Sequence, residues 1–132
     1  MLHLRYGTST ATKLSFADAV ARAKDLLKEE GFGVLCEIDV SRAFKEKIDA
    51  DFRPYVILGA CNPKLAQAAL ERESQLGLLL PCNVVVQQEA SGVIVSAVDA
   101  KALLGTVGRP ELASIADDVN ARLHRVLQRI AR

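Results

Sequence analysis

Residues 82–99, CNVVVQQEASGVIVSAVD, hold two β-branched runs, 82–89 and 92–99, separated by Ala90-Ser91. Val and Ile suit a pleated surface, and two such runs with a two-residue break predict an antiparallel hairpin. A hairpin cannot sit inside a purely parallel sheet, whose neighbouring strands need long crossovers. The chain must therefore build around an antiparallel pair. That places it in the α+β class, with a single mixed, mostly antiparallel sheet and helices packed on one face.

The other segments fill in that sheet. Residues 2–10 alternate as a strand, with Leu2, Leu4 and Tyr6 opposed to His3 and Arg5. Ser15 reads as an N-cap. Phe16, Ala19, Val20, Ala23, Leu26 and Leu27 then recur at helical spacing until Gly31 stops the helix. In GFGVLCEIDV (31–40) the alternation puts Phe32, Val34, Cys36 and Ile38 on one face, and Gly33, Leu35, Glu37 and Asp39 on the other. Ser41 to Ile48 predicts a short helix capped by Ser41, with Phe44 and Ile48 buried. PYVILGAC (54–61) is continuously apolar and predicts a central strand covered on both faces. Asn62-Pro63 starts a helix through Leu65, Ala66, Ala69 and Leu70, and 75–81 is a loop with an apolar centre. Pro110 opens the last helix, whose apolar stripe runs from Leu112 to Ile130.

The predicted order is β-α-β-(short α)-β-α-β-β-α, with five strands. Two substantial helices and one intermediate one cannot cover both faces of such a sheet, so a two-fold homodimer is expected on the second face. A polar second face is the alternative, with Arg5, Glu37, Gln87 and Ser96 as its residues.

The 132 residues fit one domain, 1–132, with no repeat or linker dividing them. Net charge is +1 and basic residues are dispersed among acidic ones, so no nucleic-acid partner is expected. No apolar run is long enough for a bilayer helix, and no membrane partner is expected. A cytoplasmic location and three free thiols, Cys36, Cys61 and Cys82, complete that reading.

Cys61 is the first candidate for chemistry. It ends a strand just before the helix that Asn62-Pro63 begins, beside the unpaired amides and positive end of that helix. Such a setting favours thiolate, the nucleophilic and metal-binding form; the plainer reading is a small apolar residue filling a strand end. Cys82, after Pro81, also stands at a strand terminus and is the candidate second or resolving thiol, while Cys36 reads as core. Arg53 and Tyr55 offer an anion-binding guanidinium and phenol, and Asn62 and Leu79 complete a candidate ligand-binding set. His3 and His124 do not complete a four-ligand zinc site with the cysteines, and no metal is expected. No phosphate loop or dinucleotide fingerprint is present, although GTVGR (105–109) is loosely similar to the former, and no cofactor is expected.

Three stretches, GFGVLCEIDV, PYVILGACNPKLAQAAL and LGLLLPCNVVVQQEASGVIVSAVD, resemble the bacterial and archaeal domain-of-unknown-function family 302 over Phe16 to Asp99. Ala-Cys-Asn-Pro and Leu-Pro-Cys are the most specific pieces. The resemblance implies a TATA-binding-protein-like β-α-β-β-β-β-α fold, often homodimeric, with no established activity. It also gives Cys61 and Cys82 more weight, since both stand in the family's pattern. Two functions follow. One is a thiol-based activity handling sulfur, an electrophile or a soft metal. The other is a non-catalytic homodimeric module for a small ligand or protein, with the sheet and LGLLLP loop enclosing its pocket.

Overall fold

The predicted hairpin lies inside the sheet rather than at its margin. The computed structural model describes residues 1–131. Its strands are β1 (Leu2–His3), β2 (Gly7–Thr12), β3 (Gly33–Asp39), β4 (Tyr55–Cys61), β5 (Cys82–Glu89) and β6 (Gly92–Val98). They form one sheet in the order β1-β2-β6-β5-β4-β3, with every neighbouring pair antiparallel. The helices are α1 (Phe16–Glu29), α2 (Val40–Ile48), α3 (Pro63–Arg72), α4 (Ala100–Gly105) and α5 (Ala113–Ile130).

Six strands replace the expected five because the N-terminal segment does not run straight. Leu4 N–H donates to Gly7 O at 2.7 Å, and this turn divides the segment into β1 and β2.

Strand alternation then sorts the side chains. Val56, Leu58 and Ala60 on β4, Val84 and Val86 on β5, and Val93, Val95 and Ala97 on β6 are all buried. The register places them in shared rows on one face. Against this face pack α1, through Ala19, Ala23, Leu26 and Leu27, and α5, through Ala116, Val119, Leu123, Val126, Leu127 and Ile130. Each large side chain buried there contributes about 1.5–3 kcal/mol, which makes this layer the source of the fold's stability. Thr12 Oγ1 donates to Ile130 O at 2.7 Å and ties the end of α5 to β2. Arg125 holds Glu30 in a fork, with Nη2 at 2.8 Å, and fastens α5 to the end of α1.

The other face carries Tyr55, Ile57, Val85, Gln87, Ile94, Ser96 and Val98, all half-buried. β4 is therefore covered on one side only within the chain, not on both. A β-bulge between Val34 and Cys36 also overturns the expected faces of β3. The extra residue, Leu35, is 69% exposed, and beyond it the alternation is inverted. Glu37 and Asp39 consequently share the face of Leu58 and Val56, where Glu37 meets Lys24 of α1 at 2.8 Å. Cys36 turns to the open face and is exposed, not core.

α2 departs from expectation as well. Asp39 caps it, accepting from Arg42 N–H at 3.0 Å, and Ser41 Oγ donates to the same carboxylate. None of its residues is buried, and Ile48 is 70% exposed. Between β6 and the last helix lies a further short helix, α4. Pro110 opens only a short 3-10 turn before α5 begins at Ala113.

Candidate functional site

Two tight reversals bring the candidate thiols together. β4 ends at Cys61 and α3 starts at Pro63, with Asn62 alone between them. Asn62 Oδ1 accepts from Leu65 N–H at 3.2 Å, so one of the helix's free amides is already satisfied by its cap. The second reversal is the 3-10 turn Ser74–Leu78 followed by Leu79, Leu80 and Pro81, with a cis Leu80–Pro81 bond, which delivers Cys82 to β5. Because Cys82 pairs with Ala60, the two cysteines stand one residue out of register at the same end of the sheet.

Both line a cavity of ≈ 40 Å³. Phe32, Leu65, Ala69, Leu80, Ile115 and Val119 form most of its wall, and Asn62 supplies the one side-chain amide. No charged side chain lines it. Cys82 is buried, and burial pushes its thiol up to about 11, with the neighbouring Cys61 acting in the same direction. Cys61 is half-buried, and all three cysteines are free. Among the described residues no group of three or more His, Cys, Asp or Glu is placed to hold a metal ion.

The apolar connection 75–81 turns inward. Leu76 is 1% exposed, and Leu79 and Leu80 pack against the core, which leaves Leu78 as the exposed leucine. Leu79, a candidate for ligand binding from the sequence, does not line the cavity, whereas Leu80 and Pro81 do. Glu73 anchors the turn: its carboxylate accepts from Gln75 N–H at 3.2 Å and from Arg109 Nε at 2.9 Å, and those bonds hold it below the ordinary carboxylate range. Arg109 of the GTVGR segment is therefore engaged in bracing this connection.

Arg53 and Tyr55 lie at the other end of β4, about 20 Å away for a seven-residue strand. The Arg53 guanidinium is 4.5 Å from the Phe52 ring centroid and 5.6 Å from that of Tyr55, and its Nε donates to Gln87 Oε1 at 3.0 Å. The structure thus unites Cys61, Cys82 and Asn62 and keeps Arg53 and Tyr55 apart from them. Phe32, Ile115 and Val119 were not foreseen as cavity walls. Ile115 and Val119, four residues apart on the apolar stripe of α5, carried the signal that could have found them.

Comparison with known proteins gives a family and a fold. The family model described as "Domain of unknown function DUF302" matches residues 8–130. A solved structure, the crystal structure of an uncharacterized conserved DUF302 protein from Bacillus stearothermophilus, superposes with a TM-score of 0.88 at 34% identity, covering 94% of this chain and 97% of that one. No curated protein matches the chain. No helix among the described residues is long and apolar enough to cross a membrane.

Proposed function

Since the chain belongs to the DUF302 family, which is defined without an activity, we propose that it is a non-catalytic homodimeric binding module that takes a small apolar group into the cavity at Cys61 and Cys82. The observation that carries this reading is the cavity's wall, built from segments far apart in sequence and free of any charged side chain. General acid–base work needs a titratable group within hydrogen-bond reach of the reacting atom; no carboxylate or imidazole lines this space, and of its two thiols burial keeps Cys82 protonated. The space of ≈ 40 Å³ is small, and its mostly apolar wall favours a small apolar guest over a charged one. Pairing of two copies through the open sheet face would cover Ile57, Val85 and Ile94, which one chain leaves half-exposed.

Xenon tests the pocket. Under xenon pressure the amide resonances of Ala60, Cys61 and Ala66 should shift while those of the distant Ile94 stay still, and Ala66→Leu, which fills the space, should abolish the response. Unmoved resonances at the cavity end the proposal. Light scattering on the purified chain reads the dimer directly.

A thiol-based activity is the second reading, favoured by two thiols lining one cavity with Cys61 half-accessible. The burial that raises Cys82 weighs against that residue as a thiolate. If Cys61 alkylates with the pH profile of a free peptide thiol, this reading fails.

A further inference from the structure

Arg53 and Tyr55, the pair left out of the cavity at Cys61, stand at the end of a groove. It is a ≈ 300 Å³ depression on the open sheet face, with Val85 and Val98 on its floor. Leu4 and Tyr6 bound it on one side and Tyr55 on the other. Gln87 lies at the Tyr55 end, paired with it across the ladder, and no charged side chain lines the space.

Arg53 is fixed beside Gln87. Its Nε donates to Gln87 Oε1 at 3.0 Å, and its guanidinium stacks over the rings of Phe52 and Tyr55. These rings form a platform: Phe52 leans on Tyr55 with centroids 5.9 Å apart and meets Phe44 of α2 edge to face at 5.1 Å. A guanidinium so held has already given up rotamer freedom that binding would otherwise cost. Among the described residues it makes no ion pair, and Nε alone of its donors is engaged. Asp49 and Asp51, close by in sequence, are taken by Lys45.

The same contact orients the Gln87 amide. A guanidinium can only donate, so it draws the amide oxygen to itself and leaves the amide NH₂ to donate elsewhere. Unused donors therefore collect at one end of an apolar groove, which suits an anion with an apolar body. A lone guanidinium matches one carboxylate, which it takes through two parallel hydrogen bonds, whereas phosphate carries more charge than one cation offsets. A tyrosine on either side favours a flat ring as the apolar body.

We propose that Arg53 and Gln87 form the polar end of a binding site for an aromatic monocarboxylate, whose ring lies in the groove between Tyr6 and Tyr55. Every group named belongs to one chain. A second chain laid across Ile57 and Ile94 would roof this depression rather than fill it.

Benzoate is the probe, titrated into the intact protein and followed by NMR. The Arg53 Nε–H and the backbone amides of Val85 and Val98 should shift together and saturate, while Ala60 beside the Cys61 cavity stays still. Benzamide keeps the ring without the charge and acetate keeps the charge without the ring; each should bind about tenfold more weakly. Arg53→Gln should weaken benzoate about tenfold, and Arg53→Lys, which keeps the charge but not the fork, should recover only part of that. Tyr6→Ala, on the opposite wall, should weaken benzoate severalfold. The inference is overturned by the absence of a saturable shift, by benzamide, acetate or inorganic phosphate binding as well as benzoate, or by unchanged benzoate binding in either Arg53→Gln or Tyr6→Ala. Arg53 and Tyr6 are both exposed, so their replacement leaves the buried core intact and the comparison decisive.

Discussion

The two faces of this sheet share a backbone and both carry β-branched residues, yet they carry different energetics. On β4, Leu58 is wholly buried beneath the helices, while Ile57, its neighbour in sequence, lies half-exposed on the other side. The inward face is finished within one chain. The outward face sets Ile57, Val85, Ile94 and Val98 beside Gln87 and Ser96, and no helix core is laid over it. Burial on this fold is thus decided by which way a side chain points and by what the chain has left to lay over it.

Leu58→Ala tests that contrast most severely. It should lower unfolding free energy by about 2–5 kcal/mol in a urea titration, as large-to-small changes do in packed interiors. Ile57→Ala, measured at low protein concentration, should lose much less, and equal losses would break the distinction between the faces. Gly59→Ala comes next. A Cβ there would lie 2.5 Å from Cys36 Sγ and 2.9 Å from Pro81 Cγ, so overpacking should lower stability by about 1–3 kcal/mol. Adding Cys36→Ala should restore part of it, since one of the two obstacles is then gone.

Asp99→Ala removes the cap of α4, and a loss of about 1 kcal/mol is expected. Burial pushes the Asp99 carboxyl up, but hydrogen bonds from Asn120, Ala102 and Lys101 and the nearby His124 outweigh it and hold it below the usual range. Its stabilisation is therefore complete above the unfolded value of about 4 and disappears as pH falls through the lower folded value. Urea titrations of wild type and Asp99→Ala should converge at acid pH; a constant gap would sink the assignment. Last in size for the isolated chain is Ile94→Glu on the open face. Its effect on unfolding at low concentration should stay within about 0.5 kcal/mol, while the light-scattering mass of a dimeric sample should drop to that of one chain.

What the sequence disclosed was local. α1 was legible to the residue, because Ser15 Oγ caps Asp18 N–H at 3.1 Å and Gly31 takes a φ of 86° that other residues resist. The Cys61-Asn62-Pro63 reversal was legible for the same reason, a cap and a first-turn proline written side by side. The bulge in β3 was not, because either parity of GFGVLCEIDV offers a plausible apolar face, and only pairing with β4 selects the shift at Leu35. α4 escaped notice because six residues carry too little periodicity, although Asp99 as cap with Ala100 and Leu104 buried was a readable hint. The meeting of Cys61 with Cys82 depends on β4 lying beside β5, and the cavity wall on how α5 crosses the sheet. Neither is set by neighbours in sequence.

The bulge has one further consequence. β3 forms an outer margin of the sheet, where bare backbone groups would normally invite strand after strand from other molecules. An extra residue at Leu35 breaks the ladder's spacing, carboxylates at Glu37 and Asp39 charge it, and the chain turns into α2 at Val40 without a loop. Fibre growth needs a flat, repeating template, and this margin withholds one.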